Sequence, residues 1–218
     1  MTSEDIDISK RIIWIVHSIL RQFVAVIVGY TISMMFGEKF TNWMVWHYIL
    51  MSSGVVLIMF EGILFLSPHN HFSMGIRKNI LSGMHGSLMG IGFIVMTLGI
   101  ICAYIKHDNG HFKSTHAVLG LISWIFCLLS VLGGLLAYHS FKLKDYIKPI
   151  FLRFLHTFIG LSGFLLSIAA SATGFYKFID WKPTNTPIMM TLLILIGVGI
   201  FLRSGRTVLQ RLQSVIKQ

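Results

Sequence analysis

The sequence predicts an all-α integral membrane protein with six transmembrane helices and both termini in the cytoplasm. Bulk apolarity, six apolar segments of crossing length and an uneven spread of basic residues between alternate loops together predict it. Of 218 residues, 55% are hydrophobic and 12% charged, and the mean hydropathy is +0.76. A soluble domain carries less apolar surface and more charge. A hydrocarbon layer about 30 Å thick takes roughly 20 apolar residues per helical crossing, so this length holds six crossings with short loops and no separate soluble domain.

The first crossing is expected at about 15–36, and Gly37-Glu38-Lys39 ends it. The second, about 43–66, stops at Ser67-Pro68-His69-Asn70. The third, about 80–105, runs to the turn His107-Asp108-Asn109-Gly110, and the fourth, about 114–138, to the basic stretch that closes at Pro149. The fifth, about 150–173, and the sixth, about 187–203, are separated by a polar segment from Asp180 to Pro187. Each break combines charge with turn-forming or helix-breaking residues.

Orientation follows from the basic residues. Of the 18 Lys and Arg, 13 fall on one side of this layout, and Lys39, Lys106, Lys113, Lys177 and Lys182 fall on the other. Cytoplasmic loops carry the excess of Lys and Arg, which puts both termini in the cytoplasm. The net charge of +10 therefore reads as membrane flanks and gives no support to nucleic-acid binding. The start, Met1 to Lys10, is polar and acidic, so no signal peptide is read and the first apolar segment is expected to anchor the chain. Cys102 and Cys127 both fall inside apolar segments and form no Cys-x-x-Cys motif, which leaves the redox compartment open.

Four of the ten histidines lie just inside the start of four successive apolar segments. His47 begins the second crossing from outside, His85 the third from inside, His116 the fourth from outside and His156 the fifth from inside. Depth alternates with direction, so His47 pairs with His116 near the outer face and His85 with His156 near the inner face. An imidazole inside a bilayer is costly unless its nitrogens are occupied. Two facing imidazoles suit the axial positions of haem iron, and a flat apolar macrocycle suits the interior of a four-helix bundle. The expectation is two haem b groups in a bundle of helices two to five. His85 with Gly90, His116 with Gly120 and His156 with Gly160 place a glycine about one turn after the ligand, where a macrocycle or a helix could approach. Zinc or copper is the competing metal, but a zinc site wants three or four ligands at one depth, and each depth offers two.

The chain resembles the cytochrome b561 family, in particular its short six-helix "b561 domain-containing" branch, over about residues 11–203. The resemblance rests on Val45-Trp46-His47-Tyr48-Ile49-Leu50-Met51, Ser67-Pro68, Met84-His85, His111-Phe112-Lys113-Ser114-Thr115-His116 and Leu155-His156-Thr157-Phe158-Ile159-Gly160. It implies a single domain over 1–218. It also implies ligand pairs equal to those read from depth, His47 with His116 for a non-cytoplasmic haem and His85 with His156 for a cytoplasmic one. It further implies electron transfer from cytoplasmic ascorbate to monodehydroascorbate or ferric iron on the other side, as in an ascorbate-dependent ferric reductase. A substrate-related histidine is implied in the loop before the fourth helix, best matched by His111. Family members are commonly dimers, which makes a homodimer an option, and an endomembrane or vesicle membrane is expected ahead of the plasma membrane.

Arg77, Lys78, Lys148 and Arg153 lie near the inner pair and are positioned to attract the ascorbate anion; the same residues also fit an ordinary positive-inside flank. Where other family members carry an Ala-Leu-Leu-Val-Tyr-Arg-like stretch tied to ascorbate, this chain has Glu61-Gly62-Ile63-Leu64-Phe65-Leu66, which puts the donor in question. Glu61 has no assigned role at this point, Arg21 is expected to snorkel toward the cytoplasm, and His17, His69, His71 and His139 are expected to be solvated. Two other functions fit the pattern: a quinol-linked cytochrome b subunit, and a histidine-lined metal transporter.

Overall fold

The computed structural model describes residues 3–67, 75–106, 112–177 and 183–217, with the backbone alone for residues 3–7 and 9. The described residues form six long helices: α1 (Ser3–Met35), α2 (Trp43–Phe65), α3 (Lys78–Lys106), α4 (Thr115–Tyr138), α5 (Pro149–Tyr176) and α6 (Asn185–Ile216). All six are long and apolar enough to cross a membrane, and no strand occurs among the described residues. An even number of crossings puts both chain ends on one side, called here the terminal face.

The middle helices keep close to their apolar segments, whereas α1 and α6 do not. α1 has 33 residues and α6 has 32, about 48–50 Å of helix, well beyond a hydrocarbon layer of about 30 Å. Both overshoot at the terminal face, through residues 3–14 and 204–216. Hydropathy marks where lipid ends, but a helix continues as long as its backbone bonds are satisfied and no proline interrupts it.

The starts of the middle helices follow local chemistry. Asn42 caps α2 by accepting from the Met44 amide at 3.1 Å, and Ser114 caps α4 by accepting from the Ala117 amide at 3.3 Å. Pro149 opens α5, where its missing N–H costs nothing. Before Ser114 the backbone turns through Phe112, held at φ 59°. At the same face Trp46 donates its indole N–H to the Phe40 carbonyl at 3.0 Å, an arrangement typical of the membrane–water boundary.

Close helix crossings are made at glycines, as expected where lipid removes the hydrophobic drive and leaves van der Waals contact to hold helices together. On α2 and α3, Gly54 and Gly92 face each other; a Cβ on Gly92 would lie 2.7 Å from Met59 Cγ and 3.0 Å from the Gly54 carbonyl oxygen. Residues Ser52–Met59 of α2 widen into π-helical turns at this crossing. On α4 and α5, Gly163 presses on the backbone of Phe126 and Cys127. Between these two hairpins Phe93 of α3 stacks on Trp124 of α4 with ring centres 5.8 Å apart, and Trp124 donates to Thr97 at 2.9 Å. α1 and α6 pack together across Leu20 and Gly199, and their buried faces, including Val24, Ile27, Leu193 and Ile196, join the core with Val55 and Phe164.

Arg21 does not snorkel to the boundary. Its guanidinium forms a two-pronged ion pair with Glu61 on the adjacent helix, at 2.7 Å to Oε1 and 3.0 Å to Oε2, the planar fork matching the carboxylate. His17, expected in solvent, is buried: it shares a face of α1 with the buried Leu20 and Val24, three and seven residues further on. His139 is exposed as expected, with its ring against Tyr138, and His69 and His71 lie outside the described residues.

Candidate haem sites

The four helices α2 to α5 each contribute one histidine at one level and one backbone carbonyl at the other. His47 Nδ1 lies 2.9 Å from the Gly99 carbonyl oxygen, and His116 Nδ1 lies 2.8 Å from that of Ala170. At the terminal-face level, His85 Nδ1 lies 2.8 Å from the Gly62 carbonyl oxygen and His156 Nδ1 lies 3.0 Å from that of Ser130. A carbonyl only accepts, so each Nδ1 carries the proton and donates, and each Nε2 keeps its lone pair. That tautomer, fixed by a hydrogen bond on the far nitrogen, is the one a metal-ligating histidine needs.

The bonds run within two antiparallel hairpins: α2 and α3 exchange them, and so do α4 and α5. On α3, Gly99 stands 14 residues beyond His85, and the same offset separates His116 from Ser130 and His156 from Ala170. At 1.5 Å per residue the two levels are about 21 Å apart. The second hairpin repeats the first at an offset of about 70 residues, a regularity of positions with little sequence likeness.

Across the hairpins the imidazoles meet in the expected pairs. His47 and His116 have ring centres 6.0 Å apart at an interplanar angle of 84°, and His85 and His156 have centres 6.2 Å apart at 79°. An iron bonded at about 2 Å to one nitrogen of each ring, with that nitrogen about 1 Å from its ring centre, calls for a separation of about 6 Å. The spacing, the tautomers and the apolar surroundings all fit a six-coordinate haem. Among the described residues no three His, Cys, Asp or Glu side chains gather into a metal site, so each level is a two-ligand arrangement.

Beside His47 and His116 lies a cavity of about 320 Å³, lined in part by Met44, Tyr48, Gly120 and Phe175; its size is that of a small-molecule or cofactor site. Lys113 and Lys177 line it too, and the Lys177 ammonium lies 3.3 Å from Ser114 Oγ.

The glycines near the ligands divide in a way the sequence did not disclose. Nothing lies within 4 Å of a Cβ built on Gly90 or Gly120, which leaves room there. Gly160 is a helix contact instead: a Cβ on it would be 2.7 Å from Ser130 Oγ. The glycines that touch the paired histidine rings are Gly134, whose Cβ would be 3.1 Å from His156 Cε1, and Gly174, whose Cβ would be 2.9 Å from His116 Cε1. Both sit on the neighbouring helix, where spacing along one chain segment gives no hint.

Of the basic residues picked out from the sequence, Arg77, Lys78 and Lys148 are exposed at the terminal face, and Arg153 is half-buried with its guanidinium 4.9 Å over the Phe141 ring. His111 lies outside the described residues. Two further arginines reach the same level from α6. Arg203 donates to the Ile63 carbonyl at 2.9 Å, and Arg211 donates to the Arg153 carbonyl at 2.7 Å and to Thr157 Oγ1. In the sequence they count as flanking charges; Arg203, at the end of the expected crossing, meets α2, and the overshoot of α6 carries Arg211 over α5.

A family model for eukaryotic cytochrome b561 matches residues 46–180, more than half of the chain. The matched stretch begins just before His47 and contains all four paired histidines. A Mus musculus protein named transmembrane reductase CYB561D2 is 24% identical over 135 residues, covering 61% of this chain and 60% of its own length. The chain thus spans less than two thirds of the curated relative it matches. With its six crossings and its match from α2 through α5, the chain belongs to the cytochrome b561 family, whose members bind haem b.

Proposed function

We propose that the protein is a transmembrane oxidoreductase that carries electrons one at a time through two haem b groups, from ascorbate at the terminal, cytoplasmic face to monodehydroascorbate or ferric iron at the other. The observation that carries this reading is the duplicated two-histidine arrangement. Ring centres about 6 Å apart, with every Nδ1 donating to a carbonyl, recur at two levels about 21 Å apart.

In this reading His47 and His116 hold the haem of the non-cytoplasmic side, and His85 and His156 hold that of the cytoplasmic side. Bound there, haem supplies reversible one-electron chemistry at iron. The protein's residues do the rest. The carbonyls of Gly62, Gly99, Ser130 and Ala170 hold each imidazole in its ligating tautomer, and the apolar helix faces keep water out. At the cytoplasmic face Arg77, Lys78, Lys148 and Arg153 draw in the ascorbate anion. Ascorbate gives up one electron and one proton there; the electron crosses, and the proton stays in the water of the donor side. At the far face the electron reduces Fe(III) to Fe(II), or monodehydroascorbate with uptake of a proton from that side. Lys113 and Lys177 beside the outer cavity favour an anionic acceptor or chelate, and a role for His111 toward the acceptor rests on the family resemblance alone. The name of the mouse relative, a transmembrane reductase, agrees with this direction of function.

The test is an absorption spectrum of purified full-length protein before and after ascorbate, with haem counted per chain. Two haems per chain, reduced by ascorbate, are expected. Replacing His85 or His156 by Ala should abolish reduction from the cytoplasmic side, whereas His47→Ala or His116→Ala should leave the inner haem reducible. A protein without a Soret band despite haem supply would sink the haem reading, and haem that ascorbate leaves oxidised would sink the donor assignment.

A further inference from the structure

Three successive residues at the terminal-face end of α2 are each gripped by a different helix. Glu61 is held by Arg21 of α1 at 2.7 and 3.0 Å, the Gly62 carbonyl by His85 of α3 at 2.8 Å, and the Ile63 carbonyl by Arg203 of α6 at 2.9 Å. The helix ends at Phe65, so Gly62 and Ile63 own two of the last four carbonyls, which have no intrahelical donor. They also stand at the negative end of the helix dipole. His85 and Arg203 therefore act together as the cap of α2. Gly62 has no slack to move, since a Cβ on it would lie 3.1 Å from Met89 Sδ and 3.2 Å from Leu88 Cβ.

The charges around this corner are unequal. Glu61 and Arg21 neutralise each other. Arg203 makes no ion pair among the described residues; its partner is a carbonyl one residue along from the one that holds His85. It is half-buried at that helix end. Arg211, two turns further on, is tied to the start of α5 near His156.

We propose that Arg203 is a positioning and charge-setting residue for the haem between His85 and His156: it fixes the carbonyl cap that orients His85, and its unpaired charge favours the reduced state of that haem over the oxidised one. The inference rests on the assignment of a haem to this pair. The ferric state carries one more positive charge than the ferrous state, so a cation nearby disfavours it, and in a medium that screens little the effect falls off as the inverse of distance. The other pair lies about 21 Å away and feels the same charge more weakly. The same charge makes electron uptake from a donor more favourable at the face where Arg203 sits.

The test is redox potentiometry of both haems in full-length protein in a lipid nanodisc, comparing wild type with Arg203→Gln, Arg203→Lys and Arg206→Gln. Arg206 is exposed on the same helix and serves as the control. With Gln at 203, the reduced-to-oxidised ratio of the terminal-face haem should fall about tenfold at fixed potential, equivalent to about 59 mV for one electron. Lys should hold it within about threefold of wild type, the other haem should change less than this one, and the Arg206→Gln protein should not change. The electron paramagnetic resonance signal of the oxidised Gln variant should also shift at that haem, because it reports the angle between the two imidazole planes, 79° here. An unshifted potential with the haem retained, or an equal fall for Gln and Lys, overturns the proposal. Loss of that haem in both Arg203→Gln and Arg203→Met overturns it too, by making the residue structural. A His156→Ala protein that still holds two bis-histidine haems refutes the site assignment itself, whatever Arg203 does.

Discussion

Replacing Gly174 by Ala should loosen the haem of one level and spare the other. Its Cβ would lie 2.9 Å from His116 Cε1 and 3.1 Å from Nδ1, whereas carbon atoms pack best at about 3.5–4.0 Å. The ring must retreat by about 0.6 Å or more. That lengthens the bond from His116 Nδ1 to the Ala170 carbonyl, now 2.8 Å, past useful hydrogen-bonding range. Losing this bond costs about 1 kcal/mol net, and forcing a methyl into a filled seam about 1–3 kcal/mol. A combined loss of roughly 2–4 kcal/mol corresponds to about a 30- to 700-fold weaker site at 1.4 kcal/mol per tenfold, overlapping the 10- to 100-fold commonly seen when a metal ligand loses its supporting hydrogen bond. The assay is a haem titration of full-length apo-protein, with haem counted per chain. One haem should bind as in wild type and one far more weakly. Gly134→Ala, at 3.1 Å from His156 Cε1, should weaken the other level to a smaller extent. Gly29→Ala, which meets nothing within 4 Å, should leave both intact. If Gly174→Ala kept both haems at wild-type affinity, or lost both equally, the argument that this glycine seats one ligand ring would be refuted.

Two further predictions concern what holds the bundle. Glu61→Gln should destabilise the protein by about 1–3 kcal/mol, because it takes the charge from one side of a half-buried, two-pronged ion pair; a double Arg21→Met, Glu61→Leu protein should recover most of the loss. Melting temperatures in one detergent decide between this and a pair that contributes nothing, in which case the single and double variants would melt alike. Gly92→Ala should cost about 1–3 kcal/mol, since its Cβ would sit 2.7 Å from Met59 Cγ and 3.0 Å from the Gly54 carbonyl. A wild-type melting temperature for it would show that α2 and α3 can separate freely at this crossing.

The resemblance to the cytochrome b561 family noted from the short motifs around the four histidines agrees with the family match over residues 46–180. The motifs were legible because they are local: each paired histidine sits in a continuous run such as Val45 to Met51 or Leu155 to Gly160. The charged residues were less so. Arg21 and Glu61 are 40 positions apart and pair only because α1 and α2 lie side by side. Arg203 looks like one more flanking cation until α6 is seen to carry it to the end of α2.

By itself the sequence determined the number of crossings, the four histidines and their two-by-two matching in depth. These follow from one-dimensional quantities, apolar run length and distance from each run's start, which a bilayer converts directly into height. What faces what at a given height belonged to the tertiary structure alone: the carbonyl that receives each Nδ1, the glycines that meet the ligand rings, the Arg21–Glu61 pair and the arginines of α6. A bilayer fixes depth through the transfer energy of apolar residues. The rotation and neighbours of each helix are set by packing between small residues and by buried hydrogen bonds, and those depend on contacts made only when the helices assemble.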